Sequence, residues 1–178
     1  MSGSTFVKIC GITRLADARS AVRAGANAIG FVFAPSPRRI TPGAAARIAE
    51  HVHPSVRKFG VFVDDPLLKV AEAASQVGLD AVQLQGSEDA PYIEQLRTLL
   101  HDVWVSKVVR VRSREDMGGL SDWAADLMFV DTRDVAEPDA PSIRTFFIGQ
   151  SFMGLSDFWL ENISYCCLKV KLKYQISV

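Results

Sequence analysis

The sequence predicts an α/β fold. Between Phe6 and Asp131 short apolar runs recur, helical patterns separate them, and polar or glycine punctuation closes each unit. Repeat lengths of about 20–25 residues leave room for the crossover that neighbouring parallel strands require. Runs this apolar on both faces suit a parallel sheet covered by helices. From pattern alone, a closed (β/α)8 barrel and an open doubly wound sheet both satisfy these observations. No G-x-G-x-x-G follows the first run, which counts against a dinucleotide-binding sheet.

The elements follow in order. Phe6-Val-Lys-Ile-Cys10 is strand-like and ends at Gly11, with Thr13 placed to cap a helix from Arg14 to Ala24 that stops at Gly25. Ala28-Ile-Gly-Phe-Val-Phe33 is the second strand. After a loop rich in Pro and Ser, Thr41-Pro42 opens a helix through about His51, because Thr caps well and Pro suits the first helical position. Lys58-Phe-Gly-Val-Phe-Val63 is the third strand, Asp64-Asp65-Pro66 reads as a helix start, and the helix runs from Leu67 to Val77 before Gly78. Ala81-Val-Gln-Leu84, then a helix from Ala90 to Leu100, form the fourth unit. Val103 to Val109, then a helix from Ser113 to Ala124, form the fifth. Leu127-Met-Phe-Val130, ending at Asp131, is the sixth strand.

After Asp131 the rhythm breaks. Forty-seven residues remain (178 − 131), where two and a half β/α units take roughly 60 or more. Asp134 to Pro141 is a polar loop, and Thr145-Phe-Phe-Ile148 could form a short strand. Between Leu160 and Val178 parts alternate like a strand. The chain is therefore divided into residues 1–132, holding β/α units one to six, and an atypical segment, residues 133–178. Open edges at the first and sixth strands are expected to invite aggregation.

Composition narrows the function classes. Lys+Arg and Asp+Glu are 20 each, and the pI is about 6.8, so nothing electrostatic favours nucleic acid or an anionic membrane as partner. No stretch approaches the ~18 apolar residues of a membrane span, and the N-terminus is not read as a signal peptide. Three cysteines, Cys10, Cys166 and Cys167, make a poor disulfide framework. A reducing, cytoplasmic setting is expected. No cysteine stands at metal-ligand spacing from a histidine, so no metal is expected. His51 and His53 lie near a helix end, where a cation complements the dipole.

The strand ends carry the chemistry in barrel enzymes. Here they read Val7-Lys-Ile-Cys-Gly-Ile-Thr13, Gly30-Phe-Val-Phe-Ala-Pro-Ser-Pro-Arg38, Ala81-Val-Gln-Leu-Gln-Gly86 and Phe129-Val-Asp-Thr132. In this order and at these separations, over about residues 6–132, they resemble the phosphoribosylanthranilate isomerases of tryptophan biosynthesis. That resemblance implies a (β/α)8 barrel and an Amadori rearrangement without metal or organic cofactor. The substrate is a small molecule, N-(5′-phosphoribosyl)anthranilate, and the product is 1-(2-carboxyphenylamino)-1-deoxyribulose 5-phosphate. Opening the ribose ring needs an acid and moving the carbonyl needs a base. By resemblance, Cys10 is the base and Asp131 the acid. Arg38 matches the position that grips the anthranilate carboxylate, for which a guanidinium is suited, and Gln83 positions substrate. Lys8 is expected to bind substrate as well, and alternation sends it to the same face as Cys10, where its charge would favour a thiolate.

Two departures qualify the resemblance. Gln85 stands where the family usually has His. The glycine-rich segments after the sixth strand, which would cradle the phosphate on backbone N–H groups, are not recognisable, as in a truncated or frame-shifted copy. The barrel is then incomplete, with strands seven and eight unreadable. A catalytically inactive barrel fragment is therefore the first alternative, and a barrel acting on another sugar phosphate the second. Plainer roles stand beside the sharp ones: Cys10 as a small core residue, Asp131 as a loop cap, Arg38 as a solvated surface cation, and Gln83 as a hydrogen-bonded interior residue.

Overall fold

The computed structural model describes residues 6–110, 125–131 and 145–149. Its strands are β1 (Lys8–Cys10), β2 (Ala28–Val32), β3 (Arg57–Phe62), β4 (Ala81–Leu84), β5 (Trp104–Arg110), β6 (Leu127–Asp131) and β7 (Thr145–Gly149). Its helices are α1 (Leu15–Arg23), α2 (Pro42–Ala49), α3 (Leu67–Val77) and α4 (Ala90–Leu99). The expected helix over 113–124, the loop over 134–141 and the strand-like stretch beyond 160 lie outside the described residues.

The strands form one sheet in chain order, with β1 to β6 parallel. Sequential parallel neighbours joined by helices are the arrangement of a β/α barrel wall. The sixth strand was expected to leave an open edge, and there the structure differs: β7 pairs with β6 from Leu127↔Gly149 to Asp131↔Thr145, running antiparallel. Hydrogen bonding by this short strand satisfies that side of β6 and passes the edge of the sheet on to β7.

Register divides the sheet into two faces. Cys10 lies beside Gly30, Gly30 beside Phe59, Phe59 beside Ala81, and Ala81 beside Trp104. This face carries a small cluster of Ala28, Phe59 and Ala81, with Phe6, Trp104, Val108 and Leu127 packed against it. The opposite face presents Ile29, Phe31, Phe62, Val82, Leu84 and Val105 to the helices. The helices answer with Ala18, Ala45, Val70, Ala74, Ile93 and Leu96, all under 2% exposed. Small residues at these positions let the helix axes approach the sheet. Full burial of each large side chain contributes roughly 1.5–3 kcal/mol.

Local signals set most boundaries. Thr41 Oγ1 accepts from the Ala44 N–H, and Pro42 takes the first helical position of α2. Asp89 caps α4 through the Tyr92 N–H at 2.9 Å. Gly78 closes α3 in the left-handed conformation. Two expected caps are corrected. The N-cap of α1 is Arg14 rather than Thr13, without a side-chain cap bond, and Arg14 is instead drawn to Asp17 one turn on. The N-cap of α3 is Pro66, because Asp64 turns away to bond Ser87 across the neighbouring loop.

A repeated device pins the N-terminal ends of the strands in pairs. The residue just before each even-numbered parallel strand receives a backbone N–H from the strand segment beside it. Asn27 Oδ1 accepts from Val7, Asp80 Oδ2 from Lys58, and Asp126 Oδ2 from Val105, each at 2.8 Å. A bond of this kind resists a one-residue slip, which would exchange the two faces of the sheet. Asp80 is the most heavily engaged of the three, since Lys58 Nζ and Arg57 also reach its carboxylate at 2.9 and 3.1 Å. Burial pushes the Asp80 pKa up, but the bonds from Lys58 and Arg57 outweigh it and hold the group below its ordinary value.

A depressed folded-state pKa means that this carboxylate stabilises the fold above the unfolded value near 4 and loses that contribution as pH falls through the folded value. Asp80→Asn is expected to destabilise the chain by about 1–2 kcal/mol at neutral pH. Urea unfolding at pH 7 and pH 3 checks this: the gap between parent and variant should narrow in acid, and a gap independent of pH contradicts the charge argument.

Candidate active site

The C-terminal ends of the strands gather the residues that sequence reasoning singled out. Lys8 and Cys10 are two apart on β1, on the face shared with Gly30, Phe59 and Ala81. Lys8 reaches across the sheet, and its Nζ donates to Gln83 Oε1 at 2.8 Å. It also lies over the Phe59 ring, 5.1 Å from the centroid. Burial lowers the Lys8 pKa, while the charge of Cys10 and a hydrogen bond to it pull the other way. Lys8, Cys10 and Gln83 therefore form one connected polar group on this face, and Gln83 is only 5% exposed.

Close packing around the thiol has a backbone cause. Gly30 is the register partner of Cys10, and a Cβ there would sit 2.9 Å from the sulfur and 3.3 Å from Lys8 Cε. A residue without a side chain is what lets thiol and ammonium share this space. Gly11 then turns the chain with φ +87°, a conformation glycine adopts without cost.

Arg38 arrives from the loop after β2. Its Nη1 donates to the Cys10 carbonyl at 2.9 Å, and its own N–H bonds Ser36 Oγ at 3.1 Å. The side chain is exposed, anchored at one nitrogen, and available to bind an anion with the rest of the guanidinium. Asp131 is the last residue of β6, paired with Arg110 and Thr145. It lies four residues beyond Leu127 on the same strand.

A cavity of about 340 Å³ opens at the same end of the sheet, lined by Val63, Asp64, Gln85, Gly86 and Ser87. Gln85 is half-buried in it, and its N–H bonds the Phe62 carbonyl. Sequence reasoning missed the residues that shape this opening. Glu88 and Lys107 are both buried, and their side chains pair at 2.7 Å. Nothing local marks them as partners, since their contact spans 19 residues. His51 bonds the Arg47 carbonyl at the end of α2, consistent with its expected helix-end position. Among the described residues no cluster of His, Cys, Asp or Glu could hold a metal ion, and no helix is long and apolar enough to cross a membrane.

Comparison with known proteins places this geometry. The family profile described as N-(5′-phosphoribosyl)anthranilate (PRA) isomerase matches residues 7–134. The N-(5′-phosphoribosyl)anthranilate isomerase of Geobacter sp. (strain M21) is 46% identical over 128 residues, covering 71% of this chain and 60% of the relative. The crystal structure of the phosphoribosyl anthranilate isomerase of Thermotoga maritima superposes with a TM-score of 0.66 at 39% identity, covering 75% of this chain and 64% of that one. A further structure of the enzyme, in complex with reduced 1-(o-carboxyphenylamino)-1-deoxyribulose 5-phosphate, gives a TM-score of 0.65 at 41% identity, covering 74% and 66%. The chain thus spans less than two thirds of the length of each. Over the span where they match, the wall of parallel strands is the one these barrels share, and the chain belongs to the N-(5′-phosphoribosyl)anthranilate isomerase family.

Proposed function

We propose that the chain carries the acid–base machinery for isomerising N-(5′-phosphoribosyl)anthranilate to 1-(2-carboxyphenylamino)-1-deoxyribulose 5-phosphate. The observation that carries this reading is the joining of Lys8, Cys10 and Gln83 on one sheet face at the strand ends. Asp131, the last residue of β6, supplies the acid.

The chemistry divides among these residues. Asp131 delivers a proton to the ribose ring oxygen as the lone pair of the anthranilate nitrogen breaks the C1′–O bond, leaving a protonated Schiff base whose C1′=N bond is conjugated with the aromatic ring. The Cys10 thiolate removes the proton from C2′, and the electron pair moves to give an enolamine, which settles as the aminoketose. Lys8 balances the thiolate charge, and Gln83 holds Lys8 in place through its carbonyl oxygen. Arg38 faces the anthranilate carboxylate from the rim. No step calls for an oxidant, a metal or an organic cofactor. The substrate is small, soluble and phosphorylated, in keeping with a cytoplasmic setting.

One observation favours a second reading, an inactive barrel fragment. β7 runs antiparallel along the edge of β6, where a parallel strand would continue a (β/α)8 barrel. The phosphate cradle that the family resemblance calls for is also unrecognised in residues 133–178. A remote phosphate grip supplies binding energy that orients the reacting carbons. On the isomerase reading, the chain should therefore turn over with a KM raised at least about tenfold over full-length relatives.

Fluorescence decay of freshly prepared phosphoribosylanthranilate, with purified full chain, separates the two readings. Turnover that Cys10→Ala and Asp131→Asn each reduce by a factor of about 10² or more supports the isomerase. Absence of turnover from folded protein supports the inactive fragment.

Two further substitutions probe individual roles. Arg38→Lys keeps the charge but loses the planar fork, so KM should rise about tenfold with kcat little changed; a change confined to kcat would place Arg38 elsewhere. Gly30→Ala puts a methyl against the Cys10 sulfur, and kcat should fall while the far-UV spectrum is retained. Unaltered kcat would mean that the crowded thiol takes no part.

A further inference from the structure

The loops after β3 and β4 are tied by a reciprocal exchange of hydrogen bonds. The Asp64 carboxylate, in the first loop, accepts from the N–H and hydroxyl of Ser87 at 2.6 and 2.7 Å. The Glu88 carboxylate, in the second, accepts from the Asp64 N–H at 2.8 Å and the Gly86 N–H at 2.9 Å. Lys107, on the helix-facing side of β5, closes the arrangement: its ammonium donates to Glu88 at 2.7 Å and to the Gly86 carbonyl at 2.6 Å. Both backbone polar groups of Gly86 are therefore held by one buried ion pair.

Packing alone does not explain this choice of residues. A buried ion pair is a weak stabiliser beside a well-packed apolar pair of similar size. An apolar pair, however, could not satisfy the Asp64 N–H or the two Gly86 groups. Asp64 is also the one non-glycine residue with positive φ among those described, at +52°. A side chain there is tolerated only when its surroundings hold it, and such positions concentrate at functional sites. The tied segment is the lining of the 340 Å³ cavity, and Gln85 is fixed in it between its own bond to Phe62 and the clamped Gly86.

We propose that Glu88, Lys107 and Asp64 are positioning residues that hold the mouth between the β3 and β4 loops, and with it Gln85, in the shape that meets substrate. The claim about substrate rests on the isomerase reading; the claim about the clamp does not.

The test uses the full chain and the variants Glu88→Gln, Lys107→Met and Asp64→Gly, with amide hydrogen exchange by NMR and steady-state kinetics on phosphoribosylanthranilate. Glu88→Gln and Lys107→Met should speed exchange at Asp64 and Gly86 at least tenfold, leaving Val82 and Leu84 in β4 as in the parent. Asp64→Gly is the variant safest for folding, because glycine suits the positive φ. It should loosen the Ser87 amide without loss of thermal stability. All three should raise KM about fivefold to tenfold and change kcat less than threefold. Unchanged exchange at Asp64, Gly86 and Ser87 overturns the clamp, as does equal loosening of Val82 and Leu84, which would make the pair a core support. Loosened amides with parental KM and kcat overturn the link to substrate. A parent without turnover sinks the isomerase reading alone, and the exchange rates then decide the clamp.

Discussion

Parallel register is the constraint on which the rest of this chain depends. Side chains alternate along a strand, so one residue of slip would send Cys10 to the helices and Ile9 to the opposite face. The strands are short, β1 and β4 having three and four residues, and short strands hold register poorly by themselves. The polar residues Asn27, Asp80 and Asp126 supply what length does not. They secure the strands in pairs at one end of the sheet, and the loops that carry Arg38 and Gln85 leave from the other.

Much of the fold was legible because it is local. The helix from Leu67 to Val77 and the strand from Ala81 to Leu84 lie where periodicity and Gly78 put them. Thr41-Pro42 and Asp89 opened their helices for reasons contained in four residues. Of the site, Lys8 and Cys10 could be assigned one face by alternation, and Gln83 and Arg38 were found through their strand-end motifs. What could not be read was long-range pairing. Asp64 resembled a helix start because its partner Ser87 is 23 residues away. Glu88 and Lys107 looked like ordinary charges until the fold buried them together. Asn27, Asp80 and Asp126 each precede an apolar run, a signal present in the sequence that has meaning only once the neighbouring strand is known.

The seventh strand sets this chain apart from a regular barrel wall. A short strand over Thr145 to Ile148 was open from the sequence, but its direction was not readable, because so short a run pairs equally well either way. Antiparallel pairing covers the β6 edge and takes the place beside Asp131 that a parallel neighbour would hold in a closed barrel. The wall of six parallel strands is thus the part of the chain that matches the family, and the antiparallel β7 lies beyond it.

The most direct test is a crystal structure of the full chain soaked with reduced 1-(o-carboxyphenylamino)-1-deoxyribulose 5-phosphate, the compound held by one of the related structures. The analogue is expected at the C-terminal ends of the strands, with its carboxylate on Arg38 and its sugar carbons between Cys10 and Asp131. An analogue bound away from that face, or no bound analogue at saturating concentration, would contradict this expectation.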